Sequence, residues 1–214
     1  MKTSLIALIL TISANSLFAQ KDTYKIARVD GILYKAIYNA SDGKISILKS
    51  NGEMVSRINS WDYLSFDSFK FTDFNEDGYK DLLVEYISNV PGVCELLLYD
   101  KRTKKFVQVK DFPDYPAPEK LNGTSLYYSY HRSGCADSNW DSDLFKIVNN
   151  KIIKIGNISG LDCGGKEVGV FISKIKGTKE RLIKKYPIKE IEKYKNYKWG
   201  FIEQYWKRNY RKFI

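Results

Sequence analysis

Apolar and polar residues alternate along most of the chain in short runs broken by turn residues, which is the period of half-buried β-strands. Residues 24–29 and 32–38 alternate on either side of Asp30-Gly31, and an Asp-Gly between two such runs predicts a tight hairpin. Asn39-Ala40-Ser41-Asp42-Gly43 turns into a strand over 44–49, and Ser50-Asn51-Gly52 turns into a return over 53–58, completing an antiparallel meander. Residues 59–67 are less regular, with Trp61 and Tyr63 expected to pack over the sheet. Further strands are expected over 82–88, over 93–99 and 105–109 as a hairpin, over 124–131, over 140–148 and 151–155 around Asn149-Asn150, and over 167–176. Pro113, Pro116 and Pro118 remove backbone donors, so 111–121 reads as an irregular connection. The pattern predicts an all-β, mainly antiparallel domain, small and either β-propeller-like or barrel-like.

The C-terminal end has a different period. Ile202, Trp206, Tyr210 and Phe213 recur at steps of four, four and three, which places them on one helical face and predicts a helix over 199–212. Gly200 weakens any continuation upstream. A basic, aromatic helix of this kind docks on its own domain, lies on a membrane or grips a partner.

Charge sharpens this division. The chain's formal net charge is +10, and residues 174–214 hold fourteen Lys/Arg against four Glu, so residues 21–173 are close to neutral. The start of the chain, with Lys2, an apolar run over 5–12 and the small-residue exit Leu17-Phe18-Ala19-Gln20, predicts a secretory signal peptide over 1–20. The expected organisation is therefore a signal peptide over 1–20, a β domain over 21–176 and a basic C-terminal extension over 177–214. Export makes disulfides permissible. Cys135 and Cys163 lie in loop-like sequence and are expected to pair, with Cys94 left as a buried thiol in a strand, although three cysteines allow other pairings.

One stretch carries candidate metal chemistry. In Asp73-Phe74-Asn75-Glu76-Asp77-Gly78-Tyr79-Lys80-Asp81, side-chain oxygens fall at Asp73, Asn75 and Asp77, Gly78 permits a sharp turn, Tyr79 offers a backbone carbonyl and Asp81 adds a carboxylate. A hard cation such as Ca²⁺ takes six to eight oxygens at roughly 2.3–2.6 Å, and this spacing supplies most of them. Val84 stands where a helix–loop–helix calcium site would need its bidentate Glu, and the loop runs instead into an apolar strand. The spacing followed by a strand resembles the calcium loop of FG-GAP and VCBS-type β-propeller repeats. The longer run over 66–158 resembles bacterial secreted propeller-like proteins related to periplasmic lysozyme inhibitors and secretion-system immunity proteins. The resemblance implies an exported β-fold, a structural Ca²⁺ and, in the lysozyme-inhibitor relatives, a protruding loop that enters the lysozyme cleft.

Catalytic patterns are missing from the sequence. His131 is the single histidine, no nucleophile-elbow pattern accompanies it, no Gly-rich phosphate loop leads into a helix, and nothing marks a particular carboxylate pair. The expectation is a non-catalytic binding protein. The polar loop over 132–141 is its candidate contact surface, with His131, Arg132, Ser133 and Asp137 as candidate partner-binding residues. The expected partner is a lysozyme-like cell-wall hydrolase or, through the basic C-terminal segment, an anionic glycan or membrane surface. A nucleic acid is not expected for an exported chain.

Overall fold

The computed structural model describes residues 23–59, 64–165 and 167–214; the expected signal peptide and the packing of Trp61 and Tyr63 lie outside the described residues. The fold is mostly antiparallel β-structure in three sheets, closed at the C-terminal end by one helix. Strands β1 (Thr23–Val29), β2 (Ile32–Asn39), β3 (Lys44–Lys49) and β4 (Met54–Asn59) form the first sheet in chain order. At its first turn Asp30 and Gly31 both take positive φ, 47° and 76°, the backbone that matches strand twist in a two-residue hairpin. Strands β5 (Ser65–Thr72), β6 (Asp81–Ile87), β7 (Cys94–Asp100) and β8 (Lys105–Gln108) repeat that plan in the second sheet.

The third sheet takes β9 (Glu119–Lys120), β10 (Leu126–Tyr128), β11 (His131–Gly134), β12 (Asn139–Val148), β13 (Lys151–Leu161), β14 (Gly169–Lys176) and β15 (Lys179–Tyr186). Its order is β15-β14-β13-β12-β10-β9, with β11 pairing β12 off that path. Residues 179–186, which composition assigns to a basic extension, are thus a strand of this sheet, held to β14 from Lys176↔Lys179 to Val170↔Tyr186.

Burial follows the strand period. Leu82, Val84 and Tyr86 of β6 join Leu97 and Tyr99 of β7 in a core shared with Tyr34, Ile45, Ile47 and Val55 of the first sheet. Leu83 and Leu96 point the other way and meet Phe112, Tyr127 and Phe145 of the third sheet's side. The second sheet is therefore covered on both faces, which explains why Leu82-Leu83-Val84 is continuously apolar where the outer strands alternate. The far face of the third sheet carries α1 (Tyr197–Asn209).

The sequence pattern leaves closure open, and neither a closed barrel nor a propeller is detected among the described residues. At one place where the first two sheets meet, a side chain stands in for a ladder. Ser56 of β4 donates its hydroxyl to the Phe106 carbonyl of β8 (2.6 Å) and accepts the Phe106 N–H (3.0 Å).

The C-terminal helix docks on its own domain, and Ile202, Trp206 and Phe213 are all buried against β12–β14. Trp206 also donates its indole N–H to the Ser142 hydroxyl at 2.9 Å, so the ring is buried without an orphaned donor. Glycines permit close approach, most tightly at Gly160 and Gly200. A Cβ at Gly160 would lie 2.1 Å from the Trp140 ring, and one at Gly200 would lie 1.9 Å from the Lys195 carbonyl. The helix begins at Tyr197, before the expected residue 199, and Gly200 sits inside its first turn because the incoming chain crosses there.

Candidate functional site

The exposed turn between β11 and β12 is built from unfavourable backbone. Cys135, Ala136 and Asp137 have φ of 53°, 49° and 78°, three successive non-glycine residues in the left-handed region. Such positions cost on the order of 1–3 kcal/mol each and persist only where the surroundings over-determine them. Four devices do so here. A disulfide joins Cys135 to Cys163, with Cα atoms 6.4 Å apart. The Asn139 side-chain oxygen accepts the N–H groups of Asp162 (2.9 Å) and Cys163 (3.1 Å), while its side-chain amide donates to the Cys163 backbone carbonyl (3.1 Å). Lys198 of α1 donates to the Asp137 carbonyl (2.7 Å) and pairs with its carboxylate (2.8 Å). Tyr130 donates its hydroxyl to the same carboxylate. Burial alone would raise the Asp137 carboxyl, but the hydrogen bonds from Lys198 and Tyr130 and the charges of Lys198 and Arg132 outweigh it, and its pKa is lowered.

The four candidate residues separate into two groups. Arg132 and Asp137 come together, with Nε 3.8 Å from the carboxylate, and the Arg132 side chain stays exposed. Ser133 is exposed beside them. His131 precedes Arg132 on the same strand and so points to the other face, where its Nε2 lies 4.0 Å from Asp143. Asp143 is already engaged by Lys154 (2.6 Å) and by the Asn157 amide (2.8 Å). His131 therefore belongs to a polar cluster on the sheet and is not part of the strained turn. Sequence reasoning missed Tyr130, Asn139 and Lys198, which fix the turn. Lys198 is 61 residues from Asp137, and no local pattern could have connected them.

The acidic loop joins β5 to β6 as a strand–loop–strand. The Asp73 carboxylate accepts the N–H groups of Asp77 (3.0 Å) and Gly78 (2.9 Å), Asn75 accepts Asp77 N–H (3.1 Å), and Asp77 accepts Tyr79 N–H (2.9 Å). The Tyr79 ring packs against Tyr99, its centroid 5.8 Å away. Lys120 reaches over from β9 to the Asn75 carbonyl (2.6 Å) and the Glu76 carboxylate (2.7 Å). Asp81 behaves differently from the others. It is fully buried, and its oxygens accept Phe74 N–H (3.0 Å) and Tyr99 N–H (2.8 Å). Burial pushes its carboxyl up to about 6 against these backbone bonds, with the Asp77 charge adding to the rise. Among the described residues no group of three or more His, Cys, Asp or Glu side chains is arranged to hold a metal ion. The side-chain positions described thus do not by themselves make a calcium centre.

No protein-family model matches the chain, and no curated protein matches it. Among solved structures it is similar to a Xanthomonas type IV secretion system related protein, at 15% identity and a TM-score of 0.49, over 78% of this chain and 95% of that one. A likeness of that degree carries no inference about function. The resemblance to FG-GAP and VCBS repeats thus finds no family match.

The cysteines divide as expected. Cys94 is buried and free, its thiol pushed up to about 12, first by burial and then by the Glu85 and Glu95 charges. The Cys135–Cys163 disulfide suggests an oxidising, extracytoplasmic environment. No helix among the described residues is long and apolar enough to cross a membrane.

Proposed function

We propose that this chain is an exported, non-catalytic binding protein whose turn between β11 and β12 engages a protein partner, a lysozyme-like cell-wall hydrolase. The observation that carries the reading is the strained turn itself: three left-handed residues, two of them exposed and Asp137 half-buried, held by a disulfide, an asparagine and a lysine from a distant helix. A loop held in one conformation before binding loses little entropy on contact, which is what a recognition loop requires. The direction toward a cell-wall hydrolase follows the resemblance of residues 66–158. Capture from an envelope extract tests it. The wild-type chain should retain a hydrolase of this class, and Arg132→Ala, which removes an exposed side chain, should weaken capture without loss of fold. Retention of no hydrolase, or equal retention by both chains, would refute it.

Calcium enters this proposal as a structural ion at Asp73, Asn75, Asp77, Tyr79 and Asp81, and its binding would require those side chains to rearrange from the positions described. Calorimetric titration of the chelator-treated chain should show stoichiometric uptake that Asp77→Ala abolishes. A second reading has one observation in its favour. The edge strand β15 exposes Lys179, Arg181, Lys184 and Lys185 around Leu182, which suits an anionic glycan or lipid surface. It predicts salt-sensitive retention on anionic vesicles that is lost when these four are changed to Gln.

A further inference from the structure

A recess opens between the β9–β10 hairpin and α1, and its lining is acidic and aromatic although the chain as a whole is basic. Two carboxylates, Glu119 and Glu203, face three aromatic rings, Tyr128, Tyr130 and Trp199, over an apolar floor at Ile202. Each comes from a different part of the fold for a local reason. Glu119 and Tyr128 are register partners across β9 and β10, and the Tyr128 hydroxyl donates to Glu119 at 2.9 Å. Trp199 and Glu203 are four residues apart on α1 and share a face. Tyr130 and Trp199 meet at 5.6 Å between ring centroids. The Tyr128 phenol is raised first by burial, then by Glu119, and also by the charge of Glu203, so both carboxylates act on the same spot.

The rings already lie beside one positive charge. The Lys198 ammonium lies 5.4 Å over Tyr130 and 4.9 Å over Trp199, yet it is committed to Asp137 by two bonds. Glu203 is ion-paired with Lys207 one turn along α1, a surface pair that an incoming ammonium would have to share, while Glu119 holds only the Tyr128 hydroxyl among the bonds described. Trp199 is left 50% exposed at the mouth. The recess holds about 260 Å³, below the usual range of pockets for whole small ligands and suited to one side chain.

We infer that this aromatic, acidic recess seats the ammonium of a lysine side chain presented by a protein partner. The ring faces receive the alkyl stem and the charge, and Glu119 and Glu203 pair with the ammonium. Tyr130 links the two features, since it lines the recess and also fixes Asp137 in the strained turn. The inference rests on the binding-protein reading only in taking a protein as the carrier of the lysine.

The test uses the full chain and no partner. N-acetyl-lysine methylamide, titrated by NMR, should shift the Trp199 indole and the Gly200 amide saturably, and N-acetyl-norleucine methylamide should not. Glu119→Gln and Glu203→Gln, both at exposed positions, should each weaken the lysine probe by about tenfold. Two substitutions are used so that an amide spectrum altered throughout in one leaves the other to decide. Equal shifts by both probes, no shift by either, or wild-type binding in the Gln variants would overturn the inference. Tighter binding of free cadaverine than of the lysine probe would overturn the assignment to a protein side chain. The probe never touches the strained turn, so a negative result here alongside weakened capture by Arg132→Ala sinks the recess alone.

Discussion

Replacing Asp81 with Asn removes a proton-binding site from the buried start of β6 in the second sheet, and its effect should depend on pH. Burial raises the Asp81 carboxyl from 3.8 to about 6 in the folded chain. The folded state therefore holds this proton more tightly than the unfolded state. Its contribution to stability is greatest below the unfolded value, declines as pH rises, and is gone above the folded value. At about 1.36 kcal/mol per pKa unit, the full span is about 3 kcal/mol, of which about 2 kcal/mol falls between about pH 7.5 and about pH 4.5. Asn cannot reproduce the site, because its one oxygen can accept only one of Phe74 N–H and Tyr99 N–H, and its amide faces the other. Leaving that donor unmet costs about 1–3 kcal/mol, but this cost is the same at every pH. The measurement is urea unfolding of both chains across that range in the presence of chelator. Subtracting the variant cancels the exposed carboxylates, such as Asp42 and Asp100, whose lowered pKa values act in the opposite direction. The gap between wild type and variant should widen by about 2 kcal/mol on acidification. A gap constant to within about 0.5 kcal/mol would refute the reasoning. Calcium that flattens the wild-type slope, and leaves the variant unchanged, is the result expected of an ion beside Asp81.

Other perturbations read other parts of the fold. Reducing or replacing the Cys135–Cys163 bridge, whose cysteines are 28 residues apart, should cost about 3 kcal/mol in chemical denaturation; a loss below about 1 kcal/mol would mean that the bridge does not restrain the unfolded chain. Trp206→Ala empties the fully buried seat between α1 and the third sheet and should cost about 3–5 kcal/mol, visible as a large drop in the urea midpoint. Gly160→Ala should destabilise by about 1–3 kcal/mol, because its Cβ would lie 2.1 Å from the Trp140 ring; unchanged thermal melting would contradict the described contact. Arg132→Ala should leave stability within about 0.5 kcal/mol, since the side chain is exposed and its one ion pair among the described residues spans 3.8 Å.

The local sequence determined the elements. Alternation and turn chemistry specify each hairpin, because strand period and a positive-φ turn such as Asp30-Gly31 are properties of neighbouring residues. The spacing of Ile202, Trp206 and Phe213 likewise marked the face that the helix buries, and the loop-like settings of Cys135 and Cys163 pointed to their pairing. Only the tertiary structure decided what those elements do to one another. Composition set β15 apart as a basic tail, yet pairing with β14 makes it part of a sheet. Adjacent numbering put His131 with Arg132, yet the strand pleat sends them to opposite faces. Asp81 reads like its three acidic neighbours, but it opens a strand covered on both sides, so its backbone donors are buried, whereas Asp73 and Asp77 accept theirs on the exposed loop and Glu76 pairs with Lys120. The strained turn is fixed by Lys198 from 61 residues away and the lysine-sized recess by an edge hairpin and a helix. Hydrogen bonds and burial between distant segments depend on how sheets stack, and no short window of sequence contains that information.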